Sequence, residues 1–310
     1  ANTTGTQQVA VGGQALASNT TGNYNQAFGY FALNANTTAN YNTAVGYIAL
    51  GANTTGSFNT GLGRSSLAAN TTGAGNVAVG DVALDANTTG STNVAVGGSA
   101  LGSNTTASDN TAVGNNSMAV NTTGEKNTAV GANALDANTT AVAITAVGYD
   151  SLTANTTGQY NTAVGAFSLA SVTTGEKNSA VGRGALSTNT GSSNTAMGFN
   201  ALTSNTHASF NTAVGDSALS LNTTGTQNVA LGAFALDANS TASFNTAVGS
   251  SALTTNTTGS NNTGIGYLSL SNNSTASNNT ALGYLSLNQN TTAANNTAVG
   301  ASALLANTTG

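Results

Sequence analysis

The stretch Asn76-Val77-Ala78-Val79-Gly80-Asp81-Val82-Ala83-Leu84-Asp85-Ala86-Asn87-Thr88-Thr89-Gly90-Ser91-Thr92 is followed at once by Asn93-Val94-Ala95-Val96-Gly97, the same frame begun again. Outward from it, a glycine recurs at Gly12, Gly29, Gly46 and in the same step to Gly182. After one slipped residue it resumes at Gly198 and keeps the step to Gly300, making 18 glycines in 310 residues. A fixed period near this length is the signature of a solenoid, in which each repeat buries its apolar residues by stacking on the next. Positions within the repeat are counted from this glycine, as 0.

Position −1 is apolar in every repeat, from Val11, Phe28 and Val45 to Val299. Position +4 is Leu or Met, from Leu16 through Met118 to Leu304. These two columns read as the core. Their spacing of five gives no helical i, i+3, i+4, i+7 stripe. Asn, Thr and Gly are poor helix formers, while Val and Thr suit strands. Two short strands per repeat, joined by Asn/Gly/Thr turns, are therefore expected. Position −2 is Ala, or Gly at Gly61 and Gly264, and position +3 is Ala or Ser. Alternation puts −2 on the opposite strand face from −1. Small side chains there predict close approach of a second layer, either the opposite wall of the coil or a neighbouring chain.

Two further columns are Asn. Position +7 is Asn from Asn19 to Asn155 and from Asn189 to Asn307, broken by Val172. Position +13 is Asn from Asn25 to Asn127 and from Asn161 to Asn296, broken by Ile144. Stacked amides hydrogen-bond along the axis of a cross-β array. The glycine at 0 suits a bend where a Cβ would clash or φ must be positive. The glycine at +10 is different, because Ala replaces it at Ala39, Ala107, Ala141, Ala208, Ala242, Ala276 and Ala293. Its turn does not demand positive φ. In Asn189-Thr190-Gly191 the second Thr is missing, which predicts a shortened turn and a local bulge but no domain boundary.

The expected fold is all-β: a parallel β-solenoid, or β-roll, of about 18 rungs in a single array over 1–310. At about 4.8 Å per rung the array would span about 85 Å. One Val and one Leu per rung do not offset the entropy of ordering a whole repeat. Inter-rung hydrogen bonds and association must supply the rest, and a homotrimeric fibre is the leading expectation.

Composition narrows the function. Charged residues are 4% of the chain, against about 25% in typical soluble proteins. The only basic side chains are Arg64, Lys126, Lys177 and Arg183, too few to neutralise a phosphate backbone, so nucleic acid is not an expected partner. No run of about 18 apolar residues marks a membrane span. With no Cys, disulfides and thiolate metal sites are excluded.

Frames such as Asn76-Val77-Ala78-Val79-Gly80 and Asn228-Val229-Ala230-Leu231-Gly232, each followed by x-x-Ala-Leu, resemble the YadA-like head repeats of trimeric autotransporter adhesins. They are also similar to repeats of bacteriophage tail-fibre shafts. That family's repeat is typically shorter than the step from Gly12 to Gly29, and its Asn lies one place further from the glycine. This chain has mostly Thr at −3. The resemblance implies a parallel trimer, a location outside the cell, on its surface or on a virion, and adhesion. It brings no catalytic residues.

No catalytic, metal or cofactor site is expected. His207 is the only histidine and falls in a turn. Asp85, Asp136 and Asp237 share position +5 but lie several rungs apart, too far to act as a pair. Tyr24, Tyr41 and Phe58 occupy +12 in three successive repeats and form the candidate surface-binding strip, suited to a carbohydrate. Tyr30, Phe31 and Tyr47 make a second aromatic set beside the glycine. Asn19, Asn36, Asn53, Asn70 and Asn87 each open an Asn-Thr-Thr triplet and are candidate glycan acceptors. The expected function is a structural shaft or adhesive stalk. The alternative is ice binding through the Thr columns, although +8 and +9 are adjacent and cannot share one flat face. An enzyme is not expected. The chain starts Ala1-Asn2-Thr3-Thr4-Gly5 and stops Ala306-Asn307-Thr308-Thr309-Gly310 in one phase, which predicts a segment of a longer fibre or rods joining end to end.

Overall fold

The computed structural model describes residues 2–309. It contains eighteen three-residue strands and no helix among the described residues, and each strand ends at the residue before the recurrent glycine. Contacts group the chain into two compact units, Ala1–Thr157 and Gly158–Gly310. The first carries β1 (Val9–Val11) to β9 (Thr145–Val147), the second β10 (Thr162–Val164) to β18 (Thr297–Val299). Within each unit every strand pairs in parallel with the next. Val9 lies opposite Gln26, Ala10 opposite Ala27 and Val11 opposite Phe28, and the same one-repeat offset recurs along the chain. Each unit is thus a parallel β-solenoid built from one strand per turn.

The second strand expected in each repeat does not form. Positions +2 and +4 take left-handed backbone conformations: φ is 59° at Ile48 and 53° at Leu50, and the same pair recurs turn after turn. Left-handed φ in a non-glycine residue costs about 1–2 kcal/mol. Here it lets N–H groups two places apart reach both neighbouring turns. The Ile48 N–H donates to the Tyr30 carbonyl (2.9 Å) in the turn before, and the Leu50 N–H to the Ser66 carbonyl (2.9 Å) in the turn after. A regular strand over these residues would leave the coil too wide to close within one repeat.

The core also differs from expectation. Leu at +4 is buried along both units, apart from the last turn, where Leu304 is exposed. Position −1 is never buried. Val11, Phe28, Val45 and Leu62 all face outward, and the small residues at −2 and +3 face in. The second layer anticipated behind −2 is the opposite wall of the same coil. A Cβ on Gly61 would lie 3.0 Å from Ser66 Oγ and 3.5 Å from Leu50 Cγ. The bore holds Leu at +4 and has room for only a methyl group opposite, so a Val cannot turn inward.

Asn fills the rest of the interior. The Asn70 Nδ2 donates to Asn53 Oδ1 (2.8 Å) in the turn before and to the Gly73 carbonyl (2.9 Å) in its own turn. Its Oδ1 accepts from Asn87 Nδ2 (2.8 Å). At +13 the Asn76 Nδ2 donates to the Gly90 carbonyl (2.8 Å), and its Oδ1 accepts from the Asn93 N–H (2.9 Å). Buried amides are stabilising only when satisfied in this way. Where the +13 column breaks, the Ile144 backbone N–H still donates to Asn127 Oδ1 at 3.0 Å. The slip before Gly198 is absorbed in the turn. Asn189 stays in its ladder through Asn205 Nδ2 (2.6 Å) and accepts the Gly191 N–H (3.2 Å). Strand β11 (Ser179–Val181) pairs with β12 (Thr195–Met197) without a bulge.

The two glycine columns separate by conformation. Gly114, at position 0, has φ +136°, and a Cβ there would sit 2.4 Å from the Gly131 carbonyl oxygen. Gly124, at +10, would place a Cβ just as close, 2.3 Å from the Ala141 carbonyl oxygen, but it has no such φ, and Ala occupies its column in the neighbouring turns. Gly114→Ala is therefore expected to destabilise the fold by at least about 2–3 kcal/mol, and Gly124→Ala by about 1 kcal/mol or less. Thermal melting followed by circular dichroism checks the order. Equal losses would refute the conformational account.

Candidate surface-binding site

Position +12 also has left-handed φ, 58° at Tyr24 and Tyr41 and 62° at Phe58. It projects each side chain outward, one turn above the next. Tyr24 and Tyr41 stack with ring centroids 4.7 Å apart and planes 4° from parallel. Tyr41 and Phe58 stack at 5.0 Å and 7°. The three rings therefore form one exposed aromatic column. Its geometry, however, turns the ring faces toward one another and the ring edges outward. The open face belongs to Phe58, because the next +12 residue is Gly75 and has no side chain to cover it. Exposure follows the same order: 45% at Tyr24, 50% at Tyr41 and 63% at Phe58. Tyr30 and Tyr47 stack less closely, at 5.9 Å, with Phe31 edge-on to Tyr30 at 4.5 Å. A sugar would meet the +12 strip at its ring edges and hydroxyls, with one full face at Phe58.

The candidate glycan acceptors lie elsewhere. Asn19, Asn36, Asn53, Asn70 and Asn87 are fully buried. Their Nδ2 atoms donate inward, as from Asn36 to Asn19 Oδ1 (2.8 Å) and from Asn53 to Asn36 Oδ1 (3.1 Å). A glycan is carried on that nitrogen, and the folded coil leaves no space for one. The Asn-Thr-Thr triplet is an interior amide followed by two surface threonines. The first of these, at +8, donates its hydroxyl to the next turn, as Thr54 Oγ1 does to the Thr71 carbonyl (3.0 Å). The second, at +9, is exposed.

Charged groups are scattered. Arg64 pairs with Asp81 in the next turn at 2.6 Å, both exposed, an arrangement worth little to stability. His207 is exposed and shares a hydrogen bond with Thr190 Oγ1 through Nδ1 at 2.8 Å. No group of three or more His, Cys, Asp or Glu side chains converges among the described residues. Burial pushes the Asp85 carboxyl above the ordinary aspartate range, opposed by backbone hydrogen bonds from Asp85 and Ala86 and by Arg64. One cluster escaped the sequence reading: Arg183 lies between the rings of Phe167 and Phe199. Its signal was present, since Phe167, Arg183 and Phe199 stand at +2, +1 and +1 of successive turns. Compared with known proteins, the chain matches no family model and no curated sequence.

The interior amides and the one perturbed carboxylate can each be tested. Asn87→Ala strands the Asn70 Oδ1 inside the coil and removes the Asn87 oxygen that accepts from Asn104 Nδ2, while the Gly90 carbonyl keeps its bond from Asn76; it should cost about 2–4 kcal/mol. A melting temperature within error of wild type would show that the ladder is not structural. Asp85 has a raised folded-state pKa. Its burden on the fold is therefore absent at low pH, grows as pH rises past the ordinary aspartate value and is complete above the raised one. Asp85→Asn should melt higher than wild type at about pH 7 and equally at about pH 3. The reverse trend would refute the burial account.

Proposed function

We propose that this chain is a structural shaft: part of an extracellular, cell-surface or virion fibre that displays a repeated surface for adhesion. The observation that carries this reading is the use of each turn. The inward columns −2, +3, +4, +7, +10 and +13 repeat one solution to closing the coil. What varies is the outward surface at +1, +2 and +12. Such a molecule supplies length, rigidity and display.

The outward −1 column supports self-association. It is apolar in every repeat and exposed at Val45, Leu62, Met197 and Ile265. Packing these columns against one another would remove a continuous aliphatic stripe of each unit from water, and a homotrimer, as in the adhesin heads that the repeats resemble, is the assembly proposed. The surface is the −1 column, which replaces the small-residue face considered from sequence. Adhesion is assigned to the Tyr24–Tyr41–Phe58 strip, with a host-surface carbohydrate as the ligand class. Ice binding draws less support, because the +8 hydroxyls are engaged with the backbone and +9 alone presents free Thr.

In sedimentation, the purified chain should behave as three copies of 30.0 kDa. Replacing Tyr24, Tyr41 and Phe58 together by Ala should abolish glycan-array or cell-surface binding while moving the melting temperature by no more than about 2–4 °C. Parallel loss of binding and stability would assign the rings to packing. Retained binding would remove the strip from the proposal.

A further inference from the structure

Of the two arginines in the structure, Arg64 is neutralised by Asp81 in the turn that follows it. Arg183 occupies the same position, +1, but has no carboxylate beside it. Its guanidinium carbon lies 5.8 Å from the Phe167 ring centroid and 5.7 Å from that of Phe199. Both distances are within cation–π range. The rings belong to the turns before and after, so the guanidinium is held between them. Arg183 is exposed, while Phe167 and Phe199 are 38% and 48% exposed. Among the described residues no side chain forms an ion pair with it.

We infer that Arg183, clamped between Phe167 and Phe199, is a binding site for the carboxylate of an acidic sugar. The inference rests on the carbohydrate-adhesion reading above and names the sugar class. A guanidinium flanked by a ring in each neighbouring turn still offers an N–H edge to a ligand. That edge matches a carboxylate bidentately, and the clamp removes rotamer freedom that would otherwise be lost on binding. The neighbourhood suits a single charge. Gly158–Gly310 holds Glu176, Asp216 and Asp237 against Lys177 and Arg183, so a polyanion would find no basic track. Sugar hydroxyls also have a partner. The Asn200 backbone N–H donates to the Arg183 carbonyl (3.0 Å), and the Asn200 carboxamide lies over Gly184, where a Cβ would be 2.4 Å from its Oδ1. An amide in the turn next to Arg183 has both a donor and an acceptor for a ring that carries hydroxyls next to its carboxylate.

The test titrates the full chain with a short oligosaccharide carrying a single glucuronate, its carboxyl-reduced counterpart and a Glu-containing peptide. Arg183 Nε–Hε is followed by NMR, with calorimetry alongside. The glucuronate should shift the Arg183 resonance and bind about tenfold or more tighter than the reduced sugar. Arg183→Gln should lose that margin, Arg183→Lys should keep part of it, and Phe167→Leu should weaken binding about threefold. Each variant is compared at an unchanged circular dichroism spectrum, and the wild-type resonance needs no variant at all. Equal binding of the two sugars, or an unmoved Arg183 resonance, overturns the site and leaves carbohydrate adhesion standing. Arg183-dependent binding of the peptide with both sugars silent, or no binding of any probe, overturns the acidic-sugar site and counts against the carbohydrate reading with it.

Discussion

A buried primary amide must find partners for its donors and its oxygen, and in a coil this narrow the neighbouring turns must supply most of them. The rest of the structure depends on that constraint. Asn70 donates to Asn53 and accepts from Asn87, so each turn satisfies its neighbour only by carrying the same residue at the same height. Repetition is thus a hydrogen-bonding requirement before it is a packing one. It also explains a core that is half polar: Leu and Ala alone would fill the bore, but they would not fix how far each turn rotates on the last. The amides do so, because a misplaced turn leaves several of them unsatisfied in a dry interior.

The same constraint explains where the chain tolerates change. Ile144 enters the +13 column because its backbone N–H still serves Asn127. The missing residue at Asn189-Thr190-Gly191 falls in a turn whose Asn keeps its place in the ladder. Ala replaces Gly at +10 freely but never at 0, where φ is positive. Within the ladders themselves the exceptions are single: Val172 in the +7 column and Ile144 in the +13 column, both buried apolar side chains.

Much of this was legible in the sequence. The period, the parallel stacking, the amide ladders, the positive-φ glycine and the shortened turn all follow from columns that can be counted. The facing of −1 and −2 was not. Alternation places Val45 and Ala44 on opposite faces but does not say which face is the interior. The usual rule that the larger apolar residue goes in fails when the bore is already filled by one Leu and two Asn per turn. The second strand was misjudged for a related reason. Val, Ala and Leu are compatible with extended backbone individually, yet Ile48 and Leu50 take left-handed φ because the turn must close before the next Gly. Propensity is local, while closure is imposed by the whole turn. For the candidate site, sequence placed Tyr24, Tyr41 and Phe58 in one line. It could not show that stacking would turn their faces to each other.

A scaffold with an interior fixed in this way carries its variation outside. Positions +1, +2 and +12 point away from the ladder, so a residue there meets chiefly the residues directly above and below it. Chemistry can then be written as a short vertical word: Tyr-Tyr-Phe at +12 makes an aromatic edge, Arg-Asp at +1 cancels itself, and Phe-Arg-Phe leaves a guanidinium fixed and uncancelled. The rung spacing of about 4.8 Å is close to the stacking distance of flat groups. Any such word is therefore pre-organised by the backbone, at little further cost in order. This is why a chain with so few charged or aromatic side chains can still present surfaces of distinct chemistry. Their positions come from the ladder inside, and their identities are free to vary.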